Sequence, residues 1–184
     1  MEFNVNTDFR CMARFENAML RTDRNDRKAT ARVIADALHD FYKGNIPAEL
    51  NAAIEAMWWF YRCGEDVTSR VNKAGNNRKN VRLYDYEIDM GHIIASFRSY
   101  NIDLTSCNLH WWVFRSLFAD LPSDCEFMKI MCYRGMDLNE IKNRKERKRF
   151  ARLKEFYALP VQKKAPLTKE ERDRLFKERL FGQK

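Results

Sequence analysis

LHWWVFRSLFADL, residues 109–121, is the densest aromatic and aliphatic run in the chain. A second run, AMWWFY at residues 56–61, echoes it, and the two hold all four tryptophans. At about 100° per residue, Leu109, Trp111, Val113, Phe114, Leu117, Phe118 and Leu121 fill one arc of the first run. Arg115, Ser116, Ala119 and Asp120 fill most of the remainder, and Trp112 stands off the stripe. This periodicity predicts a helix with that arc as its core face. Pro122 ends it, and Thr105 or Ser106 is the expected cap. His110 lies inside the apolar arc and is expected to make a structural hydrogen bond. In the second run Leu50, Ile54, Met57, Trp58 and Tyr61 share an arc, while Trp59 points away. Each tryptophan pair therefore gives one ring to the core and keeps one for another surface.

Further helices follow on both sides of these two. Residues 7–20 carry Met12, Phe15 and Met19 at helical spacing behind Thr7 or Asp8 as cap. Residues 26–42 carry Val33, Ala37 and Phe41, with Ile34 and Leu38 beside them, and Gly44 is placed to end that helix. Pro47 opens the AMWWFY helix, and Cys63-Gly64 closes it. Residues 65–82 lack periodicity and read as a surface loop. The next helix spans residues 85–100, with Ile88, Ile93, Ile94 and Phe97 on its apolar face. Asp85, Glu87 and Asp89 sit in its first turns, where the helix dipole favours negative charge. Residues 123–134 form a short helix with Ser123 as cap and Glu126 in the capping-box position. Asp137 caps a longer helix reaching Tyr157, and Thr168–Phe181 is a last amphipathic segment.

The chain has 184 residues, with 6 glycines and 4 prolines. That length suits one domain with its own core, and so few breakers favour helix. The expected fold is all-α: a compact bundle of about six to eight helices with a basic C-terminal helix and tail. Residues 1–160 form the helical domain, and residues 161–184 a basic linker and short amphipathic helix. The formal net charge of +8 is concentrated in the C-terminal part, where residues 142–184 hold 16 of the 34 Lys+Arg and 6 of the 26 Asp+Glu.

Several function classes lose support at this level. No apolar run approaches the roughly 18 residues of a membrane span, and the first residues lack the apolar core of a secretory signal. Five cysteines without paired spacing point to reduced thiols in a cytoplasm. Cys107 and His110 form C-x-x-H, but Cys125 and Cys132 on one helix are too far apart to share an ion, so buried thiols are the preferred reading. His39, His92 and His110 stand in no nucleophile context, and Asp89 with His92 at i, i+3 is a common spacing. No phosphate-cradling glycine motif occurs. The expectation is a non-enzymatic protein without metal or cofactor.

Interaction residues are the better candidates. Trp59, Trp112 and Arg115 lie off the core stripes, where coverage by a neighbouring helix is the preferred reading of each tryptophan and an interface anchor the alternative, and Leu175, Phe176 and Leu180 line the last segment. Lys142, Arg144, Lys145, Arg147, Lys148, Arg149 and Arg152 form a basic surface suited to acidic protein segments or to phosphates.

The segments WWFYRCG (58–64), YDYEIDMGHIIASF (84–97), YNIDL (100–104), LHWWVFRSLFADLP (109–122) and IMCYRGMDL (130–138), followed by a Lys/Arg-rich helix ending LKEFYAL (153–159), carry a combined pattern. In this order they resemble the gene-product-fifteen family of long-tailed bacteriophages and prophages, over residues 8–160. The resemblance implies a product of the tail gene block, between the major tail and tape-measure genes. It implies a tail-assembly role in the cytoplasm of the bacterial host, as a chaperone-like partner of the tape-measure protein. It carries over no catalytic residue. The competing expectation is a nucleic-acid-binding accessory protein that uses the basic helix 142–154.

Overall fold

Two helix starts are laid side by side in the computed structural model, which describes residues 4–23, 25–65 and 82–160. Helix α1 (Phe9–Arg21) is capped by Asp8, whose carboxylate accepts from the Arg10 amide. Helix α5 (Trp111–Ala119) is capped by His110, whose Nδ1 accepts from the Trp112 amide. Just ahead of them the chain pairs as an isolated antiparallel bridge between Asp8 and His110. There the Phe9 amide donates to Leu109 O at 2.8 Å and the Trp111 amide to Thr7 O at 2.9 Å. The first-turn donors Phe9 and Trp111, which a helix leaves orphaned, thus satisfy each other's chains.

Around this pair lie α2 (Arg27–Phe41), α3 (Leu50–Tyr61), α4 (Met90–Phe97), α6 (Glu126–Gly135) and α7 (Arg144–Phe156). These are the seven α-helices among the described residues, and no strand accompanies them. The all-α class expected from the sequence is the observed one. No described helix is long and apolar enough to cross a membrane.

The core is an aromatic stack centred on Phe114. Its ring stacks on Phe9 at 4.5 Å and on Phe97 at 5.1 Å, and Phe118 extends the stack toward Phe127. That one ring joins α5 to α1 and α4, and Phe118 joins α5 to α6. Offset aromatic pairs gain from quadrupole geometry as well as burial. Helix α3 is held by directional bonds. Trp111 Nε1 donates to Tyr61 O at 2.9 Å, and Trp112 Nε1 donates to Phe60 O at 2.8 Å. Both acceptors lie in the last turn of α3, where carbonyls lack helical partners.

Several boundaries differ from the sequence expectation. The helix expected over 85–100 begins at Met90, because the Asp85 carboxylate accepts from the amides of Glu87 and Ile88 and holds residues 85–89 as a turn. The long helix expected from Asp137 is broken in two. Asp137 caps a short 3-10 turn, Leu138–Glu140, and Asn143 caps α7 by accepting from the Lys145 and Glu146 amides. Cys125, not Ser123, occupies the cap position of α6. Pro47 precedes α3 without entering it. On α3 the buried line is Ala53, Met57 and Phe60, and Leu50 is 52% exposed. On α5 Val113 is 47% exposed, because the face that contacts other helices is the narrower set Trp111, Phe114 and Phe118. The segment 168–181 and most of the loop at 65–82 lie outside the described residues.

Helix α3 ends where Cys63 and Gly64 take positive φ values of 59° and 79°, and the Gly64 amide closes back on Trp59 O. A Cβ on Gly64 would touch the rings of Trp59 and Trp112 at 3.4 and 3.5 Å. Gly64→Ala is expected to lower stability by about 1 kcal/mol through left-handed strain. Gly91→Ala, in α4 with open space around it, should raise stability by about 0.5 kcal/mol. Urea unfolding midpoints of the two variants check both signs.

Candidate interaction surfaces

Polar groups inside the bundle come first, because they decide which charged residues are free to meet a partner. Asp85 is fully buried. It accepts from Arg21 Nε and Nη2 at 2.8 and 2.7 Å, from Arg82 Nη2 at 2.7 Å and from Asn17 Nδ2 at 3.3 Å. Asp89 receives a two-pronged bond from Arg134 at 2.7 and 2.9 Å. Arg134 also donates to Leu83 O and Tyr157 O. Burial alone would raise the Asp85 carboxyl, but Arg21, the Ile88 and Glu87 amides and Asn17 outweigh it and hold the pKa at about 2.

A third buried carboxylate, Glu16, accepts from Tyr84 Oη at 2.6 Å and Tyr86 Oη at 3.0 Å, with Arg115 Nη1 at 3.4 Å. Burial, then the charge of Glu16, pushes both tyrosine hydroxyls well above their ordinary range. Arg115 lies over the Trp111 ring, 5.4 Å from its centroid. Burial works against its charge, but Glu16 and the tyrosines around it raise its pKa overall. Arg115, a partner-binding candidate by sequence, is therefore turned into the fold and engaged there. These clusters were missed as sequence features. The signal for one was present: Glu16 shares the helical arc of Phe9 and Met12 on α1.

The outer side of α3 is different. Trp58, Trp59, Ala52, Ala56, Glu55 and Arg62 line a shallow open depression. Trp59 is 47% exposed. Its ring meets Trp112 edge-on at 5.4 Å, and Trp112 in turn contacts Phe60 and His110. Trp112 is thus half-buried, tied to α3 by its indole N–H. Of the two off-stripe tryptophans, Trp59 faces outward and Trp112 backs it. Leu175, Phe176 and Leu180 lie outside the described residues.

Helix α7 makes the third surface. Lys142, Arg144, Lys145, Arg147, Lys148, Arg149 and Arg152 are all exposed. The helix has no buried residue and meets α6 along a thin seam. There Tyr133 contacts Phe150 and stacks on Tyr157 at 5.9 Å, and Lys154 Nζ donates to Met136 O.

The remaining reactive side chains are dispersed. Asp89 faces inward to Arg134 while His92 is exposed, so the i, i+3 pair does not meet. Cys11 is buried, and burial with nearby Asp40 pushes its thiol up to about 12, which keeps it protonated. Among the described residues no three His, Cys, Asp or Glu side chains gather as metal ligands.

Fold and surfaces together define a small all-α protein with an aromatic core, internally paired acids and two outward faces, one apolar and one cationic. A family model described as bacteriophage Gp15 protein matches residues 1–159, and the chain belongs to that family. No curated protein and no solved structure matches it.

The depressed Asp85 pKa carries a pH signature. The folded value lies below the ordinary 3.8, so its contribution is complete above that pH and is lost as pH falls toward 2. A shift of this size corresponds to about 2 kcal/mol. Asp85→Asn should cost about 3 kcal/mol at neutral pH, since it leaves two arginines facing a neutral group. It should also flatten the fall in stability between about pH 4 and pH 2. Urea titrations across that range measure both effects.

Proposed function

We propose that this chain is a non-enzymatic phage tail-assembly factor. It acts in the host cytoplasm as a chaperone-like partner that holds a helical segment of the tape-measure protein. The observation that carries the reading is the Trp59 ring, set half out of the fold against a fixed backing. Its neighbours Trp112 and Gly64 hold the ring in place before any partner arrives, so little freedom is lost on docking. Ala52 and Ala56, one turn apart on the same helix, leave room beside it for a packed side chain. Glu55 and Arg62 supply charges of opposite sign along the depression that can orient a partner helix. A tape-measure protein is long and helical, and such a partner offers apolar anchors at i, i+3 and i+4 to a groove of this kind. Membership of a bacteriophage family agrees with this role, and the sequence resemblance implies the tail gene block.

Co-expression with overlapping tape-measure fragments tests the reading. The chain is expected to keep at least one fragment soluble and to co-purify with it. Trp59→Ala, at an exposed position, should leave the circular dichroism spectrum unchanged and weaken that complex by about tenfold or more. A chain that retains no fragment, or a Trp59→Ala variant that binds as well as the parent, would sink the proposal.

A further inference from the structure

Six arginines elsewhere in the described residues pair with acids. Arg10 pairs with Asp8, Arg14 with Asp40, Arg21 with Asp85 and Glu87, Arg82 with Asp85, Arg115 with Glu16 and Arg134 with Asp89. Helix α7 gathers on one element several cations that do not. Among the described residues, Arg144, Lys145, Lys148, Arg149 and Arg152 form no ion pair, and all five are exposed. Like charges at i, i+4 destabilise a helix, so an unneutralised run of this kind has a cost within the free protein.

The cations are also sorted by face. Phe150, Lys154 and Tyr157 define the side of α7 turned toward α6. At about 100° per residue, Arg144, Lys148, Arg152, Lys145 and Arg149 fall on the opposite side, and Arg147 lies near the seam. Phe156 projects on that same outer side and is 80% exposed, the most exposed large apolar side chain among the described residues. Glu155 is the single acid there, and Glu146 lies on the seam side. Arg144, Lys148 and Arg152 follow one another at steps of about 6 Å along the helix axis. That step is close to the separation of successive phosphates in an extended nucleic-acid strand.

We infer that the outer face of α7 binds single-stranded nucleic acid without sequence preference. Arg144, Lys148 and Arg152, flanked by Lys145 and Arg149, engage consecutive phosphates, and Phe156 stacks on a base at the end of the row. Guanidinium groups match phosphate oxygens with paired donors. A cationic track with an exposed aromatic is the arrangement by which proteins hold single strands. A duplex satisfies the cations but hides the base faces that Phe156 would meet. An acidic polypeptide likewise satisfies the cations and offers Phe156 no planar base. The inference is separate from the tape-measure reading, because no residue of α3 takes part.

Fluorescence anisotropy of the full chain tests it, with a labelled single-stranded oligothymidine, a duplex of equal length and polyglutamate as competitor. The single strand is expected to bind more tightly than the duplex, with affinity falling as salt rises by a log–log slope of about 0.7 per phosphate engaged. The triple variant Arg144→Glu, Lys148→Glu, Arg152→Glu should abolish binding to both. Phe156→Ala should weaken single-strand binding by about tenfold and leave duplex binding unchanged. Because α7 has no buried residue, the core spectrum of each variant should match the parent. Three results would each overturn the inference. One is parental binding by the triple variant, which would move the contact off α7. Another is parental single-strand binding by Phe156→Ala. The third is competition by polyglutamate as effective as that by the oligonucleotide, which would assign the face to an acidic protein.

Discussion

Two indole N–H bonds set the geometry on which the rest of this protein depends. Trp111 and Trp112 are neighbours in sequence, so on a helix their side chains point about 100° apart. They reach Tyr61 O and Phe60 O, adjacent carbonyls in the last turn of α3. One ring enters the core and the other stays at its edge, yet both find an acceptor because the end of α3 lies between them. This fixes α3 against α5 in distance and in rotation, which apolar contact alone does not do. The same helix α5 is fixed to α1 by the backbone pair at Asp8 and His110. Three helices are therefore registered by directional bonds, and the Phe114 stack fills the space they enclose.

The acidic segment 84–89 plays the equivalent role for the other half of the molecule. Asp85 holds Arg21 at the end of α1, and Asp89 holds Arg134 on α6. Arg134 continues to Tyr157 O at the end of α7. Truncating one member of such a set strands the others without water, so the network is far costlier to break than to keep. The attachment of α7 rests on this arginine, the contacts of Tyr133 with Phe150 and Tyr157, one lysine contact and the Tyr157 hydroxyl donating to Glu126. That is enough to seat the helix and too little to cover its cationic side.

How much of this was legible in the sequence follows from what each signal encodes. Helical periodicity located the seven helices, and it assigned Trp111, Phe114, Phe118 and Leu121 to the core correctly. It placed Val113 there too, because an arc on a wheel measures apolar content and not the width of the neighbour that covers it. On sequence alone Asp85 and Asp89 look like decorations of a helix start. Their partners, Arg21 and Arg134, lie 64 and 45 residues away, and no local pattern links such positions. Asp137 reads as the cap of one long helix, and only the structure shows that Asn143 caps a second start, which splits the expected helix into a turn and α7. Arg115 illustrates the same limit from the other side. Its place off the apolar stripe suggested solvent, whereas the charge it answers, Glu16, sits on the buried face of α1.

The two outward faces inherit different stiffness from these supports, and this bears on what each can recognise. Trp59 stands on Trp112, which is bonded to the helix that carries Trp59 itself. The exposed ring and its backing therefore move as one body, and a surface of that kind discriminates by shape. Helix α7 has no buried side chain and meets the bundle along one edge. Small rotations about that seam would change few contacts, so its face is poorly suited to shape selection. Charge attraction tolerates such motion, since it falls off over several ångströms where packing fails within one. A fold that spends its directional bonds on the tryptophan helix thus leaves the apolar face selective and the cationic face permissive.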